Sequence, residues 1–390
     1  MNKSTGKCYL AWATDEKTRE RGSSGGFVSA ALAAALDKGI VERVLVLKKH
    51  GVFKGTPTVT SDPKEVLDSA GALHMTAINL AKYVDSDVRI ALPAKPCDAR
   101  GAIERAKRNQ VNLDNVYMVG LNCAGTMHPV KARKMVKEIY NLDPDAVLSE
   151  EVSKGKLIIK TSEGEKSIKI DELERQGYGR RDACKYCSIN IPKMTDLACG
   201  NWGVPHDRKA TFVEVLTEKG EEIFKNAVDA GYVECEPASD KSIETREKID
   251  QAMKKLAHEW HEKLFEPINK LSDSERLEYY INAFASCTGC GACKKVCPPC
   301  PCGEDAKCTM TEFQSEAHRI HMFNMVRLLH LMDSCIGCGR CEDVCPASIP
   351  LTMIHMRFTE RIQKKLDHIP GIDMKKPPLF ETELREVQND

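Results

Sequence analysis

Two stretches near the carboxyl end, Cys287–Pro298 (CTGCGACKKVCP) and Cys335–Pro346 (CIGCGRCEDVCP), decide how the last third of the chain folds. Both read C-x2-C-x2-C-x3-C-P. Three closely spaced thiolates can take three irons of one cubane, while the fourth, turned away by the following proline, reaches the neighbouring cluster. Two copies therefore predict two [4Fe-4S] clusters with crossed ligands. Cys287, Cys290, Cys293 and Cys345 are assigned to one, and Cys335, Cys338, Cys341 and Cys297 to the other. A pair of zinc sites would need four ligands each without crossing, which leaves the repeated C-P ending unexplained.

Between the motifs, PPCPCGEDAKC adds Cys300, Cys302 and Cys308, followed by an amphipathic helix read from about Thr311 to Met332 that carries His318, His321 and His330. Zinc or a further cluster on these cysteines and one histidine is one reading. Thiols buried beside the clusters, with histidines on an ordinary helix face, is the other.

Eighteen cysteines in 390 residues would suggest a disulfide framework in an oxidising compartment. The amino terminus, MNKSTGKCYLAW, lacks the apolar core of a signal peptide, and no window is long and apolar enough to span a membrane. The expected location is therefore the cytoplasm, where thiols stay reduced and available to metals. Fifty-seven basic and fifty-seven acidic residues cancel, which argues against a nucleic-acid partner held by phosphate neutralisation. A chain of this length is expected to form two or more domains.

Upstream, the periodicity alternates between helix and strand. GFVSAALAAALDKG (Gly26–Gly39) reads as a helix and VERVLVL (Val41–Leu47) as a strand; Asp62 caps a helix with Pro63 first and Glu65 completing a capping box. Asp87–Pro93 and Asn115–Asn122 read as buried strands, followed by helices over Asp98–Lys107 and Pro129–Tyr140. Lys156–Ile170 reads as a hairpin, and TFVEVLT with a helix to about Ala230 closes a mixed α/β domain. Charged, helix-forming sequence from about Ser239 to Leu277 connects it to the cysteine motifs.

Two features of this domain look chemical. In RGSSGGFV (Arg21–Val28), Ser23, Ser24, Gly25 and Gly26 lead into a helix and would leave backbone N–H groups open for a pyrophosphate. The stretch is not GxGxxG and no strand is read before it, so it is not a Rossmann fingerprint; a serine cap with flexible glycines is the bland alternative. The second feature is a set of cysteines near strand ends: Cys97, Cys123, the pair Cys184 and Cys187 in DACKYCSIN, and Cys199. A catalytic dithiol, a structural zinc site and a third cubane, its charge offset by Arg180, Arg181 and Lys185, all remain open on spacing alone.

SSGGFVSAALAAALDKGIVERVLVL, PAKPCDAR, VGLNC, CKYC and TDLACGNWG together resemble the coenzyme F420 hydrogenase and dehydrogenase beta-subunit family, over about Gly22–Ala230. The added double-cubane region makes the chain similar to the formate dehydrogenase branch. The resemblance implies FAD, one [4Fe-4S] cluster and a docking site for coenzyme F420 as substrate, hence three clusters in all. Carried over by position, Cys97, Cys123, Cys184 and Cys187 are the cluster ligands and Ser23–Gly26 the FAD segment. Cys199 is an additional cysteine where hydrogenase-type members usually lack one. The phosphate and glutamate tail of F420 implies a basic groove, with Lys48, Lys49, His50, Arg180, Arg181, Lys193, Arg208 and Lys209 as candidates; Lys48 and Lys193 are taken with the serine–glycine turn as the cofactor-binding set.

The expected organisation is an α/β (mixed α+β) FAD/F420 domain at residues 1–236, a helical linker at 237–282, a small bacterial-ferredoxin-like 2[4Fe-4S] domain at 283–352, and a tail at 353–390. The implied function is an oxidoreductase subunit that passes electrons from a formate-oxidising, molybdopterin-binding alpha subunit through the clusters and FAD to F420. Related readings are an F420H2-oxidising input subunit of an F420H2 dehydrogenase, heterodisulfide reductase or hydrogenase complex, a nicotinamide-dependent relative, and a ferredoxin-like relay without flavin.

Overall fold

The computed structural model describes residues 7–302 and 316–374, with side chains omitted at 316–321. Among the described residues, eleven strands form two sheets: β1 (Cys8–Ala13), β2 (Arg43–Lys49), β3 (Gly55–Thr60), β4 (Ile90–Ala94), β5 (Val116–Leu121), β6 (Ser149–Ser153), β7 (Lys156–Thr161), β8 (Gly164–Lys169), β9 (Leu197–Gly200), β10 (Thr211–Val215) and β11 (Val233–Pro237). The large sheet has eight strands in the order β11-β1-β10-β9-β5-β4-β2-β3, and β6-β7-β8 form a separate antiparallel sheet. At its centre β2, β4, β5 and β9 run parallel, flanked by antiparallel strands.

Parallel strands must be covered on both faces, and they are. The helix Phe27–Asp37, whose Ala30–Ala35 run is buried, and the helix Glu218–Asp229 pack with Val44, Val46 and Val119 on one face. On the other, Leu45, Ile90, Leu92 and Met118 meet Ala99, Ala102 and Ile103 of the helix Pro96–Ala106. The expected helix over Gly26–Gly39 and hairpin over Lys156–Ile170 are both present. Asp62 accepts from the Lys64 N–H as the cap, but Glu65 bonds the Thr60 hydroxyl instead of completing a capping box. A strand does precede the serine–glycine turn, contrary to expectation: β1 leads into it through the short helix Glu16–Arg21.

The helices Asp240–Asn269 and Asp273–Ala285 are more than a connector. Phe265, Ile268, Tyr280 and Phe284 share one buried cluster with Cys293, Ile349, Leu351 and Ile354. The helix Leu351–Leu366 thus belongs to the same core as the cysteine motifs. Beyond it the chain returns to the sheet domain, where Pro370 accepts from Arg100 Nε at 2.7 Å and the Gly371 N–H donates to Glu104 at 2.6 Å. No helix among the described residues is long and apolar enough to cross a membrane.

Candidate redox site

The carboxyl ends of parallel strands are where open α/β sheets collect ligands, and the chemically distinctive residues of this domain collect there. The serine–glycine turn lies at the end of β1, tied by the Ala13 N–H to the Gly25 carbonyl at 2.8 Å. Gly26 takes the N-cap of the helix Phe27–Asp37 with φ of 74° and no side-chain cap. A Cβ on it would stand 2.5 Å from the Thr18 carbonyl oxygen, so the turn admits only glycine there. Neither serine caps the helix. Ser23 Oγ accepts from the Ala72 N–H at 2.6 Å, and Ser24 Oγ lies 3.2 Å from Thr211 Oγ1. With Gly26 at the cap, no side chain takes the backbone N–H groups of the helix's first turn. That leaves a run of donors at a positive helix end, the chemistry of an anion seat.

Cys97 follows β4 and Cys123 follows β5, so adjacent parallel strands deliver two thiols to one edge. Cys184 and Cys187 come from the short helix Asp182–Lys185 and the turn after it. Burial pushes the Cys123 thiol up to about 12, with the neighbouring Cys184 adding to it. Cys97 is raised well above the ordinary thiol range by burial, then by Asp98, Cys123 and Cys338. Burial also raises Cys187, against the pull of Arg100. Buried thiols that suppress one another's ionisation are stable as thiolates only when a cation takes the protons' place.

The ferredoxin-type motifs form two further sets. Cys297, Cys335, Cys338 and Cys341 line one cavity, as the crossed assignment requires of Cys297. Burial raises all of them: Cys297 to about 12, Cys335 and Cys338 to about 11, and Cys341 well above the ordinary thiol range. Cys293 is raised by burial and by Cys287 and Cys290, and Cys345 shares the surrounding apolar cluster with Cys287 and Cys293. Cys290 is exposed. Among the described residues no three His, Cys, Asp or Glu groups converge on a point that could hold a single ion.

Arg181 joins the sheet-domain thiols to the second motif. Its guanidinium donates to Cys184 Sγ at 3.2 Å, to the Cys338 carbonyl at 3.0 Å and to Asp343 at 2.6 Å. Gly339 lets the two approach, because a Cβ there would stand 2.5 Å from Cβ of Ala183.

Other candidates are placed elsewhere. Cys199 points into the core under the helix Phe27–Asp37, apart from the four clustered thiols, and burial lifts it to about 12. Lys193 pairs with Glu214, opposite Cys8 at the far end of β1, so it does not join the serine–glycine turn. Arg180 is buried in a bidentate pair with Glu174, and Lys185 pairs with Asp182. Arg208 pairs with Glu236, and Lys209 binds the Glu20 carbonyl. Lys48 is exposed on β2, while the half-buried Lys49 donates to the Ala70 carbonyl beside the turn. The Cys300 carbonyl accepts from Lys82 at 3.1 Å; Cys308 lies outside the described residues. Sequence reasoning missed Arg100 and Arg327, buried cations among the thiols, because an arginine in a helical pattern carries no local signal of burial.

Comparison with known proteins agrees with this geometry. Residues 8–84 match the amino-terminal part, and residues 87–241 the carboxyl-terminal part, of the family described as coenzyme F420 hydrogenase/dehydrogenase, beta subunit; residues 330–350 match a 4Fe-4S binding domain. Over 97% of its length the chain is 42% identical to the F420-dependent formate dehydrogenase subunit beta of Methanocaldococcus jannaschii, covering 100% of it. The chain belongs to the coenzyme F420 hydrogenase/dehydrogenase beta-subunit family. As a member it is an oxidoreductase subunit. It is also 41% identical, over 95% of its length and 96% of the relative, to the F420-dependent formate dehydrogenase 1 subunit beta of Methanococcus maripaludis. In fold, this family member resembles a chain of the F420-reducing [NiFe] hydrogenase complex from Methanosarcina barkeri. The TM-score is 0.54 at 21% identity, covering 68% of this chain and 91% of that one.

Proposed function

We propose that the chain is the electron-transfer and F420-reducing subunit of a formate dehydrogenase, fed by a formate-oxidising, molybdopterin-binding partner and delivering hydride to coenzyme F420. The observation that carries this is the succession of three thiol sets, the last of which shares a sheet edge with the Ser23–Gly26 turn. The residues fit the groups required. Four soft thiols per set suit [4Fe-4S] clusters: Cys287, Cys290, Cys293 and Cys345 for the first, with Cys290 exposed, Cys297, Cys335, Cys338 and Cys341 for the second, and Cys97, Cys123, Cys184 and Cys187 for the third. The uncapped N–H groups at the start of the helix Phe27–Asp37, behind the Ser23–Gly26 turn, suit the diphosphate of FAD.

When bound, clusters carry single electrons, and FAD exchanges them for hydride chemistry. The chain's own residues supply position and charge. β4 and β5 fix Cys97 and Cys123 against Cys184, Arg181 holds the second and third sets together, and Lys48, at the same sheet edge, is available to the anionic tail of F420. Burial of the thiols excludes water from the path, which favours electron transfer between sets over leakage to solvent.

Formate oxidation is assigned to the partner, since the sheet domain and the cysteine motifs account for the described residues. The isolated chain is expected to exchange electrons between F420 and an artificial dye, and to ignore formate. Formate-dependent F420 reduction by this chain alone would overturn the division of labour.

A further inference from the structure

Arg327 lies on the helix Glu316–Leu331 with 2% of its surface exposed. One nitrogen, Nη2, donates to the Cys293 carbonyl at 3.3 Å, and the guanidinium lies 5.8 Å from the centre of the Phe323 ring. Nε and Nη1 are buried with no partner, and no carboxylate among the described residues pairs with this charge. An unpaired buried cation with two unmet donors is strongly unfavourable unless something anionic faces it. Sulfur surrounds it: the cysteines whose ionisation its charge is coupled to are Cys293, Cys297, Cys341 and Cys300. Arg327 also lines the cavity enclosed by Cys297, Cys335, Cys338 and Cys341, and it is the one arginine or lysine among the lining residues.

Arg181, at the next junction along the path, makes the contrast plain. Each of its three side-chain nitrogens is engaged, by Thr126, Cys184, Cys338 and Asp343, and the Asp343 carboxylate offsets its charge. Arg327 has no such offset, so its charge is directed at whatever the four thiols hold.

We propose that Arg327 is a charged hydrogen-bond donor to the sulfurs of the iron–sulfur centre at Cys297, Cys335, Cys338 and Cys341, and that it holds this centre's reduction potential up. This rests on the cluster reading above. Reduction adds one electron and leaves every covalent bond in place; the guanidinium keeps its proton throughout, because its pKa exceeds 12. A fixed cation beside a cluster, with N–H donors free to reach its sulfurs, stabilises the more negative, reduced form. Lining this centre's cavity and bonded to the Cys293 carbonyl of the other motif, Arg327 makes the middle of the path a place where an electron rests on its way inward. It is a positioning residue of the electron path, since it ligates no iron.

The test is an anaerobic redox titration of the full chain, followed by the electron paramagnetic resonance of the reduced centres. Iron is counted in parallel, for the native protein, Arg327→Lys and Arg327→Gln. The expected result is unchanged iron and a midpoint that falls at one centre only. In Arg327→Gln the equilibrium constant for its reduction drops at least tenfold, about 59 mV for a one-electron couple. Arg327→Lys keeps a charge but not the planar donors, so the same centre falls by less. Midpoints identical to the native protein in Arg327→Lys, with iron intact, overturn the proposal, and this variant decides alone if Arg327→Gln loses iron. Native protein without iron at these motifs would instead overturn the cluster reading itself, so the two failures are distinguishable.

Discussion

Cys287, Cys290, Cys293 and Cys297 come from one short stretch of loop and helix, whereas Cys97, Cys123, Cys184 and Cys187 are gathered from the ends of two strands and a separate short helix. Both arrangements end in buried, mutually perturbed thiols. The first depends on local chain geometry, and the second on the register of a sheet. In the motif region a substitution outside the loops is expected to leave the ligands near one another. In the sheet domain the ligands are only as well placed as β4 and β5 are paired.

The largest effect should come from removing a thiol of the sheet-gathered set. Cys97→Ala is expected to cost about four iron atoms per chain and to reduce F420–dye exchange to background, while iron at the two motifs survives. Full iron in that variant would break the comparison. Next in size is Glu174→Ala, which leaves Arg180 buried without its carboxylate beside Ala124 and Cys184. Loss of one partner of a buried pair costs about 3–5 kcal/mol, readable as a fall in denaturation midpoint that Glu174→Gln should only partly restore.

Gly339→Ala probes the junction between the two regions. The left-handed backbone alone costs about 1–2 kcal/mol for a residue with a Cβ, and the added atom would meet Ala183 at 2.5 Å. Iron should be retained, but electron exchange between the motif centres and F420 should slow; unchanged exchange would show that this contact is not part of the path. The smallest effect belongs to Cys199→Ala. Its thiol is packed in the core, so stability should change by about 1 kcal/mol and iron not at all. Loss of iron would return Cys199 to the ligand set.

How far each region could be read from sequence follows from the same contrast. That Cys297 lines a cavity with Cys335, Cys338 and Cys341 was legible because the repeated spacing sends each motif's fourth cysteine to the other motif. The buried strands β4 and β5 were legible as short apolar runs, but strand ends in a linear sequence do not say which strands are neighbours. Gathering Cys97 with Cys184 therefore needed family resemblance. β3 was missed because Pro57 argues against a strand, and β3 proves to be the edge strand where proline is tolerated. β9 is four residues long and β6 is polar, so neither shows a period. The pairing of Lys193 was not legible for a different reason: a lysine's partner, here Glu214, is a tertiary fact. Arg327 is the extreme case, a charge placed by its helix in a core that only the fold creates.

The most direct test of the central claim is iron, zinc and flavin per chain after strictly anaerobic purification. About twelve iron atoms, from three clusters of four, with one FAD and no zinc is the predicted result. About eight iron with zinc and no flavin would contradict it, leaving the sheet-domain thiols structural and the chain a ferredoxin-like relay.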